Sequence, residues 1–201
     1  MPTLLGEDDR RLLKPGSGLI GIDEVGRGAL AGPLVVAGLR WIGIPQNPWV
    51  RDSKKLSPSR REKLDPWIRQ HADQLRLVEI WPDVIDRINI LEATKFAMRR
   101  LVDTMCSPGD TVIVDAVSLG TGYEDVFSPI RGDEQFFSVA AASIVAKVHR
   151  DRIMTRLSPS FPDWLWEKNK GYGTVEHRRA LQESGSSPLH RKSFKFSAVL
   201  P

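Results

Sequence analysis

Asp23 and Glu24 close a short apolar run, Leu19-Ile20-Gly21-Ile22, and Gly26-Arg27-Gly28 begins two residues later. The run reads as a buried strand, and carboxylates in such a place are costly unless paired or bound to a cation. Glycines on both sides of an arginine let the backbone come close to an anion. Two further acids hold comparable positions: Asp115 ends Thr111-Val112-Ile113-Val114, and Asp133 follows Gly132 after a glycine-rich stretch. Four carboxylates without His or Cys partners form a hard, all-oxygen set that suits Mg²⁺ or Mn²⁺ and not zinc. Two such ions about 4 Å apart can clamp the attacking and leaving oxygens of a phosphodiester. Lys54, Lys55 and the glycine loops would then hold phosphates, and Tyr172, between Gly171 and Gly173, would lay its ring against a sugar or base. Each element taken singly has a plainer reading: a solvated acidic pair, a strand-end turn at Asp115, a helix cap at Asp133, solvated lysines, a packing tyrosine. Their order and spacing together point to metal-assisted chemistry on a nucleic acid.

These residues need a scaffold that brings distant strand ends together. Residues 19–25 read as the first strand and 34–39 as a second, close enough for an antiparallel hairpin. Ser57 is a good N-cap and Pro58 a good first helical residue for a helix reaching about residue 71, which Pro66 should kink or interrupt. A third strand is expected around 75–81. Residues 85–105 read as helix, in one or two pieces, with Ile88, Leu91, Lys95, Met98, Val102 and Met105 as its stripe. Strand 111–114 follows, then a long helix from Gln135 to about Leu157 whose Ala140-Ala141-Ala142-Ser143 allows close packing on a sheet. Thr174 should cap a last helix over 175–184, ended by Gly185. The pattern predicts an α/β fold: a mixed central sheet flanked by helices, with the acids at or just after strand ends, where α/β sheets build their sites. Gly16-Ser17-Gly18-Leu19-Ile20-Gly21 matches G-x-G-x-x-G, but the strand follows the glycines instead of preceding them, so a dinucleotide site is not expected.

At 201 residues with 41% hydrophobic content, the chain can bury one sizeable core. The net charge of +4 permits a nucleic-acid partner. Cys106 is the single cysteine, so no internal disulfide can form and a reducing compartment fits. No apolar run reaches membrane-spanning length, and no signal peptide is legible; a cytoplasmic protein is expected. Residues 1–17 read as a polar, loose lead-in.

Several stretches then resemble one family. G-I-D-E-V-G-R-G-A-L-A-G-P at 21–33 is similar to the opening motif of ribonuclease HII, the type 2 RNase H family. The likeness continues through D-S-K-K-L at 52–56, I-N-I-L-E-A-T at 88–94, V-D at 114–115 and R-G-D at 131–133. It goes on with A-A-A-S-I-V-A-K-V-H-R-D at 140–151, K-G-Y-G-T at 170–174 and H-R-K-S-F at 190–194. The resemblance implies an RNase H-like fold over 18–201 with a small C-terminal helical portion at about 158–196. It implies a monomeric endonuclease that cuts RNA in RNA–DNA hybrids, and 5′ of ribonucleotides embedded in duplex DNA, leaving 3′-hydroxyl and 5′-phosphate ends. By the same resemblance Asp23, Glu24, Asp115 and Asp133 hold two Mg²⁺ or Mn²⁺ ions, with Asp23 shared. Gly26, Arg27 and Gly28 read the ribose 2′-hydroxyl, which separates RNA from DNA. Tyr172 packs on the neighbouring sugar, and Lys54, Lys55, Lys147 and Arg191 contact phosphates. Three positions depart from the family pattern: Ala116 stands where glycine or asparagine is common, Arg131 where lysine is, and Asn169 where histidine is. Two other readings fit parts of the pattern: a catalytically silent binder of hybrid duplexes, disfavoured by four retained carboxylates, and a junction resolvase on the same fold, which would need no 2′-hydroxyl.

Overall fold

The computed structural model describes residues 5–123 and 125–195. The expected end of the C-terminal portion, residue 196, and the chain's first four and last residues lie outside them. Four strands, β1 (Leu19–Val25), β2 (Leu34–Trp41), β3 (Gln74–Ile80) and β4 (Thr111–Val114), form one mixed sheet in the order β3-β2-β1-β4. β1–β2 and β2–β3 are antiparallel and β1–β4 is parallel. The parallel pair brings distant acids together. Ile22 registers with Val114, so the next residues, Asp23 and Asp115, emerge side by side, and the Asp115 N–H donates to the Ile22 carbonyl at 3.2 Å.

Helices cover both faces of β1, which explains its nearly continuous apolar run. On one face, Ile20, Ile22, Val112 and Val114 pack against α4 (Ile90–Met105). On the other, Val35, Ala37 and Leu39 pack against α6 (Phe137–Leu157) and α2 (Pro58–His71). α6 lies so close to β1 that a Cβ on Gly21 would overlap the Ser138 backbone.

Several local expectations change. α2 runs unbroken through Pro66. That residue faces solvent while Leu64, Asp65 and Ile68 are buried, so packing on either side holds the helix and water can satisfy the freed carbonyl. Residues 82–105 split into α3 (Pro82–Ile88) and α4 at Asn89, whose φ of 64° breaks the helix and whose Oδ1 caps the Leu91 and Glu92 N–H groups. The break resets the helical face. Ile88 and Leu91 are exposed, and the buried stripe is Ala93, Ala97, Met98, Leu101, Val102 and Met105. The long helix is likewise divided, into α5 (Gly132–Gln135) and α6.

Residues 1–17 were expected to be loose, yet Glu7–Leu12 form α1 and Asp9 is fully buried. Its carboxylate accepts the Phe137 and Ser138 N–H groups at 2.7 and 2.9 Å. The first N–H groups of a helix have no internal acceptor, and no local side chain caps α6; Asp9 supplies the cap from a distant segment. The C-terminal portion holds α7 (Trp166–Asn169) and α8 (Val175–Ser184), around a cluster of Trp164, Trp166, Ala180 and Leu181 that includes Leu30 and Ala31 from the β1–β2 connection. Thr174 and Gly185 bound α8 as expected.

Candidate active site

Asp23, Glu24, Asp115 and Asp133 meet at the edge where β1 and β4 end. Adjacent strand residues point to opposite faces. Asp23 therefore turns toward α6, where Ser143 lowers its pKa against the burial; Ser143 bonds Ser53 Oγ at 2.8 Å, and the Glu24 N–H donates to Asp23 Oδ1 at 2.8 Å. Glu24 turns the other way, with Arg27 3.9 Å off and its Oε2 buried without a partner. Asp115 is oriented by the Gly132 N–H, which donates to its Oδ1 at 2.6 Å. Asp133, on α5, is buried, and its Oδ2 lies 3.6 Å from Lys54 Nζ. Backbone strain flanks the pair: Ala116 and Arg131 both adopt left-handed φ, 48° and 57°, a conformation costly for residues with a Cβ.

The acids burden one another. Burial, then the charge of Glu24, raises Asp23 well above the usual carboxylate range, and Asp115 and Asp133 add to the effect. Burial pushes Glu24 up to about 7 against the pull of Arg27, with Asp115 raising it further. Burial also raises Asp133, opposed by Lys54. Burial alone would lower the Lys54 ammonium, but Asp133, Asp23, Asp52 and Asp115 together raise it. Among the described residues, no group of three or more His, Cys, Asp or Glu side chains stands ready-made around one metal position. The donor set nonetheless fits a hard divalent cation: it is all oxygen, mutually repelling and partly buried, with one orphaned carboxylate oxygen at Glu24.

Beside the acids lies a second cluster. Tyr172 is half-buried, with Lys147 Nζ and the Arg150 guanidinium 5.2 and 5.1 Å from its ring centroid. Gly26 packs so tightly on Arg150 that a Cβ would collide with it, and the Leu30 and Ala31 N–H groups donate to the Gly171 carbonyl at 2.8 and 3.2 Å. The Gly26–Gly28 and Tyr172 loops thus form one surface, with Arg27 and Gly28 exposed. Asn169 closes the second loop, donating to the Trp164 carbonyl at 2.6 Å and accepting the Gly171 N–H at 2.8 Å.

The expected phosphate contacts separate. Lys54 reaches the acids. Lys55 pairs with Glu134 and Asp52 at 3.3 and 3.6 Å, and Lys147 with Asp151 at 2.7 Å. Arg191 turns inward: it is 3% exposed and bonds the carbonyls of Gly32 and Arg27. Sequence reading missed Ser143, Asp9 and Arg150. Arg150 carried a signal, since it lies midway between Ala146 and Met154 at four-residue spacing on the buried stripe of α6.

The model of the ribonuclease HII family matches residues 20–197. The chain belongs to the ribonuclease HII family. Curated relatives named ribonuclease HII include those of Chlorobium phaeobacteroides, 42% identical over 89% of this chain and 90% of that protein, and Carboxydothermus hydrogenoformans, 44% identical over 93% and 81%. Among solved structures, the chain is similar to ribonuclease HII from Archaeoglobus fulgidus, determined in complex with PCNA. The TM-score is 0.75 with 29% identity, over 90% of this chain and 97% of that one. The ribonuclease HIII structure Bst-RNase HIII, determined with Mn²⁺, shares the fold at a TM-score of 0.64 and 24% identity, over 89% of this chain and 67% of that one. As a ribonuclease HII the chain is a type 2 RNase H, a hydrolase acting on RNA in RNA–DNA hybrids, with an RNase H-like fold. No helix among its described residues is long and apolar enough to cross a membrane.

Proposed function

We propose that this ribonuclease HII cuts RNA–DNA hybrids and also incises duplex DNA on the 5′ side of an embedded ribonucleotide, leaving 3′-hydroxyl and 5′-phosphate ends. The observation that carries the reading is the adjacency of the two clusters: the carboxylate edge of β1 and β4 adjoins the Gly26–Gly28 and Tyr172 surface through the Glu24–Arg27 contact. Asp23, Glu24, Asp115 and Asp133 would hold two Mg²⁺ or Mn²⁺ ions, with Asp23 shared. Bound there, the ions supply an activated water and charge stabilisation for the departing 3′ oxygen.

The chain's own residues do the remaining work. The Glu24 and Gly132 N–H groups hold Asp23 and Asp115 in orientation. Lys54 keeps positive charge at the edge before substrate arrives. The Gly26–Gly28 backbone faces the 2′-hydroxyl, Tyr172 lies against the neighbouring sugar, and Lys147 and Lys55 contact flanking phosphates. The protein works as a monomer in the cytoplasm, with one catalytic domain from residue 18 onward that includes the C-terminal helical portion.

The test is cleavage of a DNA duplex carrying one ribonucleotide, with Mg²⁺ or Mn²⁺ and with a chelator. A metal-dependent cut just 5′ of the ribonucleotide, absent from the all-DNA duplex, is expected. Cutting of the all-DNA duplex at the same rate would refute the ribose reading, and no cutting by a folded sample would refute the catalytic one.

A further inference from the structure

Arg150 and Arg191 are almost completely buried, at 0% and 3% exposure. An ion without a counter-ion in the interior faces a desolvation cost of several kcal/mol even after relaxation. Yet the hydrogen bonds of both guanidiniums end on main-chain carbonyls. Arg150 donates to Pro33 and Lys170 at 2.8 Å and to Ala31 at 3.0 Å. Arg191 donates to Gly32 through Nε and Nη2 at 3.2 and 3.0 Å, and to Arg27 through Nη1 at 2.9 Å. Their targets are not scattered. The carbonyls of Arg27, Ala31, Gly32 and Pro33 belong to the β1–β2 connection, and that of Lys170 to the Tyr172 loop.

Further contacts lock the same pieces. Gly26 seats against the Arg150 side chain, whose guanidinium also lies against the Tyr172 ring. The Arg191 N–H donates to the Leu30 carbonyl at 2.8 Å, and Phe194 covers the Arg191 guanidinium at 5.1 Å. Asp86 holds the next turn through the N–H groups of Lys192 and Ser193, both at 2.9 Å. A planar fork can bind several carbonyls at fixed angles, as a lysine ammonium cannot.

We infer that Arg150 and Arg191 are positioning residues for ribose selection, two buried guanidiniums that set the Gly26–Gly28 loop and the Tyr172 loop as one rigid jaw. Neither touches substrate. Both decide how far the backbone at Gly26–Gly28 stands from the Tyr172 ring, which is the gap a ribose must fill. The inference rests on the proposed ribose reading of those loops, so the test separates the two.

Wild-type protein is first assayed on a single-ribonucleotide duplex, a long RNA–DNA hybrid and an all-DNA duplex; equal treatment of the first and the last overturns the ribose reading. With that discrimination in place, Arg150→Lys and Arg191→Lys are measured for folding and for kcat/KM. The expected result is a loss of roughly 10- to 100-fold on the single ribonucleotide, as for a small misplacement of a positioned group. The loss should be clearly smaller on the long hybrid, where many registers offer a ribose to a loosened jaw. A folded variant with equal losses on both substrates, or with none, overturns the inference. Should a variant not fold, the wild-type Arg150 and Arg191 side-chain N–H resonances decide. They are expected to exchange slowly and to shift on adding the ribonucleotide duplex in Ca²⁺, but not the all-DNA duplex; unmoved resonances overturn the inference.

Discussion

Two clusters of like charge lie next to each other in this molecule and handle burial in opposite ways. At the carboxylate edge, Asp23, Glu24, Asp115 and Asp133 share one field, and Glu24 keeps an oxygen with no partner. In the jaw, Arg150 and Arg191 are also buried, yet their donors meet carbonyls at hydrogen-bond distance. The chemistry of the groups explains the difference. A carboxylate can take a proton when crowded, and burial and neighbouring charge raise Asp23, Glu24 and Asp133. A guanidinium keeps its charge across the physiological range: burial, and then the charge of Arg150, brings Arg191 down only to about 9. Arginine must be satisfied by the fold itself. Acids can be left unsatisfied until a cation arrives. The first cluster is built to accept something, the second to hold something still.

The sharpest way to break this comparison is to remove one charge from each side. Asp115→Asn or Asp133→Asn should abolish cleavage, roughly 10³-fold or more, because metal-assisted stabilisation worth several kcal/mol disappears. Melting temperature in the absence of metal should hold or rise, since a mutually repelling charge has gone. Arg150→Met should do the reverse to the fold, costing about 3 kcal/mol in a denaturant titration, because three buried carbonyls lose their donor. Similar melting changes on the two sides would erase the distinction.

A proton count sharpens the acidic side. Glu24 is raised from 4.5 to about 7. Between those values the metal-free folded protein binds more protons than the unfolded chain, so this group's contribution to stability falls as pH rises through the window. Divalent cation favours the ionised form and should release protons on binding, up to about one from Glu24 at pH 6 and little above pH 8. Calorimetry of Mn²⁺ binding in buffers of different ionisation enthalpy measures the count; equal release at both pH values would contradict the raised carboxylate.

Two smaller effects concern what holds the edge in place. Asp9→Ala removes the cap of α6 and should cost about 1–2 kcal/mol, read from thermal melts. Cleavage at low temperature should survive, because Asp9 touches the helix and not the acids. Ala116→Gly should stabilise by about 1 kcal/mol or less, as glycine adopts φ of 48° without a Cβ clash. A destabilised glycine variant would mean the strain is not where the backbone places it.

How much of this was legible depended on the range of the interaction. β1, β2, β4 and both ends of α8 follow from local patterns: apolar runs, a capping threonine, a stopping glycine. Pro66 misleads because a local rule against proline yields to packing by Leu64 and Ile68. The stripe on α4 shifts because one residue, Asn89, resets the helical phase.

Sequence alone determined the types and order of the candidate groups: four acids at or after strand ends, Gly26-Arg27-Gly28, Tyr172 between glycines, and the motifs that resemble one family. Those features are carried by residue identity and short spacing. Only the tertiary structure decided which charges are offered to a ligand and which are spent internally. Arg191 is expected on a phosphate and Asp9 in a polar lead-in, yet one bonds the carbonyls of Gly32 and Arg27 and the other caps a helix 128 residues away. Their partners are main-chain groups, and a main-chain group leaves no mark on the sequence that contains it.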